Sequence, residues 1–212
     1  MLLEKSVQEF VASVASKDPA PGGGSVAALS SSLGSALTTM VGNLTIGRKS
    51  YEKLTADQQQ ALDQNFEKVQ SLMERLNQLT EEDTTAFNGV MKAFKMPKET
   101  DEEKKARKAA IEEATKEALE VPLTVGKESL EVLKLQQVFA DYGNPNAITD
   151  VGVGALLAYA GLEGALFNVL INLQGLSDEK YIKDVKKQCE ELKQEGNRLK
   201  EATLVTVYEK LG

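Results

Sequence analysis

Histidine and tryptophan are absent from the 212 residues, and there is one cysteine, Cys189. Without histidine the commonest general base and the commonest zinc ligand are both missing, and one cysteine cannot replace them. Any acid–base chemistry therefore falls to Asp, Glu, Lys or Tyr, and no metal site is expected. A lone cysteine excludes an internal disulfide framework and suits a reducing, cytoplasmic setting. A basic surplus is also lacking. The net charge of -7 argues against a nucleic-acid or anionic-membrane partner, and an anionic ligand would need a local cluster of Lys and Arg. Met1-Leu2-Leu3-Glu4-Lys5 carries no basic region followed by an apolar core, so no secretory signal is expected. No stretch alternates with period two for long enough to make a strand, and no internal repeat stands out.

What is present reads as helix throughout. With 42% hydrophobic residues the chain can bury a full core, and one domain spanning 1–212 is the expectation. Residues 2–16 place Leu3, Val7, Phe10, Val11 and Val14 on one helical face. Pro19-Ala20-Pro21-Gly22-Gly23-Gly24-Ser25 then interrupts: two prolines and three glycines predict a loop over 19–24, with Ser25 as the N-cap of the next helix. Glycines let a ligand approach the main chain, and free N–H groups at a helix start favour an anion. The plainer alternative is a tight inter-helix turn.

From Pro19 to Gly47 there is no charged residue, and 25–47 predicts a helix of Ala, Ser, Gly and apolar residues. Ser30, Ser31, Ser32, Ser35, Thr38, Thr39, Asn43 and Thr45 are too many polar groups for a lone membrane span, so the expectation is a central helix buried on all sides. Arg48 and Lys49 follow at its C-terminal end, where cations suit the dipole. Residues 42–50 mimic a phosphate-binding P-loop with one residue inserted, but that motif opens a helix after a strand and this one closes a helix.

Thr55 and Gln58 predict a capping box for a helix that runs to about Met96 before Pro97. Leu62, Phe66, Val69, Met73, Leu76, Thr80, Asp83, Phe87, Val90 and Phe94 step by fours and threes, the spacing of a packed seam. Asp83 thus sits on a core-facing line, where a carboxylate is costly unless paired or functional. Either a neighbouring helix satisfies it or it does chemistry.

Thr100 and Glu103 predict a second capping box, opening a helix with Ile111, Ala114, Ala118, Val121 and Val125 inward and a kink at Pro122. Asp141-Tyr142-Gly143-Asn144-Pro145-Asn146 is a dense turn signal, after which Thr149 or Asp150 begins a second small-residue helix. Asp150, Gly154, Ala158, Gly161, Ala165, Asn168 and Asn172 form one ridge, whose amides serve either interhelical packing or a ligand. Ser177 is the expected cap of a last helix ending near Leu211. The fold class is all-α: an up-and-down bundle of about six helices with two buried small-residue helices. Those two helices need more cover than one small bundle provides, so a homodimer is expected.

The residues assembled so far resemble the cyclodeaminase family of folate enzymes, which includes the cyclodeaminase half of formiminotransferase-cyclodeaminase and standalone methenyltetrahydrofolate cyclohydrolases. The matching segments are Pro21-Gly22-Gly23-Gly24-Ser25-Val26-Ala27-Ala28, Met40-Val41 with Thr45-Ile46-Gly47-Arg48-Lys49, Asp83-Thr84-Thr85-Ala86-Phe87, Lys95-Met96-Pro97-Lys98, Val121-Pro122-Leu123, Gly143-Asn144, Thr149-Asp150 and 167–173. Thr149 stands where the family usually has Ser, which keeps the hydroxyl. The resemblance implies an all-helical homodimer that binds a reduced folate, with or without a polyglutamate tail, and needs no cofactor beyond it. It implies ring closure of 5-formiminotetrahydrofolate to 5,10-methenyltetrahydrofolate with loss of ammonia. Asp83 matches the family's proposed catalytic aspartate. Pro21, Gly22, Gly23, Gly24 and Ser25 would position the pterin or aminobenzoyl group, and Asn43 and Asn144 fall in matching segments. Arg48 and Lys49 would meet the glutamate carboxylates, and Asp150, Asn168 and Asn172 the pterin edge. Two alternatives stand beside this: hydrolysis of the methenyl bridge at the same carbon, and a non-catalytic helical dimer that binds folate or a protein.

Overall fold

The structure is a computed structural model that describes residues 1–212, and every regular element in it is helical. The order is α1 (Val7–Val14), α2 (Gly23–Asn43), a 3-10 turn at Tyr51–Lys53, α3 (Ala56–Phe94), α4 (Asp101–Tyr142), a 3-10 turn at Pro145–Ala147, α5 (Ile148–Leu173) and α6 (Glu179–Leu211). Six α-helices make the expected bundle. The capping boxes at Thr55/Gln58 and Thr100/Glu103 both form, with each hydroxyl accepting the N3 backbone N–H and each N3 side chain reaching back. The long helix α4 stays helical on both sides of Pro122, whose ring is buried.

Several boundaries differ from expectation, each for a local reason. The first helix is only Val7–Val14, because Ser6 and Glu9 form a capping box that fixes its start. Its apolar face finds no cover in this chain: Val7 is 82% and Val11 59% exposed. Ser177 does not cap α6; Asp178 does, accepting from Tyr181 N–H, while Ser177 donates to Glu112. At the start of α5, Asn144 caps the preceding 3-10 turn, so the helix opens at Ile148 rather than at Thr149 or Asp150.

Helices α2 and α5 run antiparallel at the centre. Gly23 faces Asn168, Gly161 faces Ala27 and Ser31, and Gly34 faces Gly154. A Cβ on Gly34 would lie 2.7 Å from the Gly154 carbonyl oxygen, and one on Gly154 would lie 3.1 Å from that of Gly34. Only glycine permits this approach. Several polar groups of α2 meet neighbours, Ser31 bonding Ser129 at 2.6 Å and Thr38 Oγ1 accepting from Gln136 Nε2 at 3.0 Å, while Ser35 and Thr38 donate to carbonyls of α2 itself and Thr39 Oγ1 is buried without a partner. Helix α5 is long and apolar enough to cross a membrane by length and composition alone; it packs against α2, α4 and α6, which bury 44% of its most apolar stretch.

Helix α2 is not buried on all sides. It packs on α3, α4 and α5, but Val26, Leu33, Met40 and Leu44 are exposed, with Val153, Leu156, Phe167 and Ile171 of α5 beside them. The apolar seam of α3 is also divided. Leu62, Val69, Leu76 and Thr80 are buried, whereas Asp83, Phe87 and Val90 line a cavity and Phe94 is half exposed. That change marks the site.

Candidate active site at the start of helix α2

The glycine segment does not remain a loop through Gly24. Helix α2 begins at Gly23, with Gly22 as N-cap, so no side chain caps the first turn. Ser25 therefore lies inside the helix, and its buried hydroxyl is free to act elsewhere. It donates to Asp83 Oδ2 at 2.8 Å and lies 3.3 Å from Thr84 Oγ1. Gly24 makes the meeting possible: a Cβ there would overlap the Asp83 carboxyl, with Cγ only 2.6 Å away. The carboxyl thus sits against the first turn of α2, where unsatisfied N–H groups and the helix dipole favour an anion.

Burial nevertheless raises the Asp83 pKa above its ordinary value, although the Ser25 hydroxyl and backbone N–H pull it down. A carboxyl so raised keeps its proton to higher pH than an exposed aspartate, which suits a group that must both take and give one.

Around it lies a cavity of about 330 Å³ lined by Pro19, Ala20, Gly22, Gly23, Gly24, Asp83, Phe87, Val90, Ala118, Asn168, Ile171 and Asn172. Asp83 is its one ionisable residue. Asn168 donates Nδ2 to Gly164 O at 2.9 Å within α5, which fixes the amide and leaves its carbonyl oxygen available. Asn172 joins it one turn later. Pro21 is buried behind this wall, and Ser25 beneath it.

Five residues expected at the site lie elsewhere in this chain. Arg48 and Lys49 line a separate cleft with Leu44, Ser50, Asn144, Pro145 and Asn146 at the opposite end of α2. With 21 residues at ~1.5 Å each, that end is about 31 Å from Gly23. Asn43 is exposed in the last turn there. Asn144 is structural: its N–H donates to Thr45 Oγ1 at 2.8 Å, its Nδ2 to Leu44 O at 3.2 Å, and its Oδ1 accepts from Asn146 at 3.0 Å. Asp150 lies in the first turn of α5, and because α5 is antiparallel to α2 that turn is also at the far end. The ridge from Asp150 to Asn172 is a true face, but a face about 33 Å long cannot converge on one ligand.

Sequence reasoning gave Val90 and Ala118 only as apolar positions, and it placed Pro19 and Ala20 in the glycine loop and Phe87 and Ile171 in the resembling segments without assigning any of the four to the site. Phe87 and Val90 follow Asp83 by four and seven residues, so the seam itself carried the signal.

The formiminotransferase-cyclodeaminase family pattern matches residues 6–191. A methenyltetrahydrofolate cyclohydrolase of Methylorubrum extorquens is 42% identical, with 98% of each chain covered. The formimidoyltransferase-cyclodeaminase of Sus scrofa is 36% identical over 92% of this chain, which spans 35% of that longer protein. The crystal structure of formiminotetrahydrofolate cyclodeaminase from Thermotoga maritima superimposes with a TM-score of 0.87 at 27% identity, covering 100% of both chains. The chain belongs to the formiminotransferase-cyclodeaminase family.

Proposed function

We propose that the chain closes the ring of 5-formiminotetrahydrofolate to 5,10-methenyltetrahydrofolate and releases ammonia, with Asp83 as the single acid–base group. The carrying observation is that Asp83 is the only ionisable side chain lining the cavity and is held by Ser25 against α2. N10 attacks the formimino carbon and gives its proton to the carboxylate. The protonated carboxyl then hands that proton to the amino nitrogen of the tetrahedral intermediate, and ammonia departs as the N5–carbon–N10 cation forms. A raised pKa suits both transfers. Gly22 to Gly24 let the substrate lie against the backbone, Asn168 and Asn172 pair with the pterin edge, and Phe87, Val90 and Ile171 give the aromatic ring an apolar wall. No cofactor beyond the folate takes part.

A second reading has its own support, since the whole-length relative at 42% identity is a methenyltetrahydrofolate cyclohydrolase. In that reaction Asp83 takes one proton from the water that adds to the methenyl carbon and returns it to N5 as the carbon–N5 bond breaks, while the carbinol hydroxyl gives its proton to solvent as the formyl C=O forms. A paired assay separates the two. A rise in methenyl absorbance from 5-formiminotetrahydrofolate, with ammonia released, supports ring closure; an enzyme-dependent fall from 5,10-methenyltetrahydrofolate alone supports hydrolysis. No change in either would overturn both.

We also propose a homodimer joined through the exposed seams of α2 and α5. A reducing compartment, the cytoplasm, suits the buried free thiol of Cys189.

A further inference from the structure

The cavity around Asp83 has no cation in its wall, yet the folate substrate of the proposed function ends in carboxylates. The displaced Arg48 and Lys49 cannot supply the charge from about 31 Å away in the same chain.

Two lines of side chains lead out of the cavity. On α3, Val90 and Phe94 follow Asp83 by seven and eleven residues, which at ~100° per residue returns each to within about 20° of Asp83. On α4, Ile111 and Arg107 precede Ala118 by the same seven and eleven residues, so they share its line. Because α4 runs back along α3, both lines end at one place. There Arg107 donates Nε and Nη2 to the Phe94 carbonyl at 3.2 and 3.0 Å, with its guanidinium 5.6 Å from the Phe94 ring centre. Asp83, Phe87 and Val90 thus line the cavity, and Ile111 and Arg107 line a second cleft two and three turns further along α4 from Ala118. Eleven residues of helix span about 16 Å.

In that second cleft Arg107 and Lys108 lie with Ile111, Glu112, Gln174 and Gly175, just past Ile171 and Asn172 on α5. Glu112 lies in the same cleft as an ionised carboxylate that accepts the hydroxyl and the N–H of Ser177, at 2.5 and 3.0 Å, and faces Lys108, so of the two cations one remains in surplus.

We infer, on the basis of the folate reading, that Arg107, with Lys108 beside it, is the subsite for the carboxylate-bearing tail of the substrate. The Phe94 carbonyl occupies two guanidinium N–H groups and leaves the others to a carboxylate. Arg107 is a binding and positioning residue rather than a catalytic one, since it lies about 16 Å from Asp83.

The test measures steady-state kinetics with whichever folate the wild type consumes, and binding of tetrahydrofolate and of 6-methyltetrahydropterin, which lacks the tail. For Arg107→Gln the expected result is a KM about 10-fold higher with kcat within twofold, the size of one lost charge-assisted hydrogen bond. Lys108→Gln raises KM about threefold, and Arg107→Lys recovers part of the loss. Affinity for 6-methyltetrahydropterin stays unchanged in all three. A KM within twofold of wild type in both glutamine variants would overturn the inference, as would an equal loss for the tail-less pterin, which would make Arg107 merely structural. A rise in KM from Arg48→Gln instead would overturn it by moving the tail to a partner's basic end. Wild-type protein that binds neither probe would overturn the folate reading itself.

Discussion

Ser25 and Asp83 join the first turn of α2 to the middle of α3 through a 2.8 Å hydrogen bond that the hydroxyl donates. The bond exists because α2 starts two residues before Ser25, which frees the hydroxyl from capping. Since it stabilises the ionised carboxylate, Ser25→Ala should raise the Asp83 pKa further. The acidic limb of the kcat/KM profile then moves to higher pH, with kcat at neutral pH falling about 10-fold, less than the roughly 100-fold or more that losing the acid–base group itself would cost. An unmoved profile would separate Ser25 from the proton transfer.

Gly24 tests the same contact by volume rather than by charge. A methyl group there overlaps the Asp83 carboxyl, and both α2 and α3 are too firmly packed to yield. The carboxyl must rotate away, and a displacement near 1 Å at a reacting group costs about 100-fold in rate. Gly24→Ala should therefore lose kcat by about that factor while keeping its helical circular dichroism. Activity within threefold of wild type would show that the carboxyl does not work from this position.

Asp83→Asn should abolish turnover while largely sparing folate binding, because the amide keeps shape and polarity but carries no exchangeable acid. Its stability has a definite sign. The folded pKa lies above the unfolded one, so over that interval the folded state holds more protons and stability falls as pH rises. Below the interval the aspartic acid is neutral in both states and nothing is lost. The variant should thus melt above wild type at neutral pH, with the gap closing as pH falls towards 4, the ordinary carboxylate range. Scanning calorimetry across pH measures this, and a constant gap would contradict the raised pKa.

Much of this was legible in the residues. The three-four spacing of α3 located Asp83, and the run of Ala, Ser and Gly marked α2 and α5 as helices in close contact. Both signals are local. What the sequence withheld was direction. The length of α2 alone carries Asn43, Arg48 and Lys49 away from Asp83, but nothing in the sequence states that α2 and α5 are antiparallel, and that relation sends Asn144 and Asp150 to the same far end. Capping was misread where two hydroxyls had better partners: Ser25 bonds Asp83, and Ser177 bonds Glu112. A serine before a helix is a cap only if no distant carboxylate competes.

The exposed seams of α2 and α5 make the last prediction. Val26, Leu33 and Met40 recur every seven residues, and Val153, Leu156, Phe167 and Ile171 extend the same apolar face on the adjoining helix. Two helices about 31 Å long and about 10 Å wide each present roughly 600 Å². A stable pair of proteins buries about 800 Å² on each side, so this face supplies most of one interface, and the uncovered face of α1 can add to it. A second copy is the fitting occupant, because each copy carries net charge -7 and a charge-free stripe is where two such molecules can meet. Leu33, near the middle of α2 and 49% exposed, is the place to interrupt it. Leu33→Asp leaves the chain's own core untouched but buries two unpaired carboxylates in any two-fold contact, at several kcal/mol per ion. Sedimentation should find wild type as a dimer and the variant as a monomer with unchanged helix content. A wild-type monomer at micromolar concentration, or a variant that still dimerises, would place the interface elsewhere.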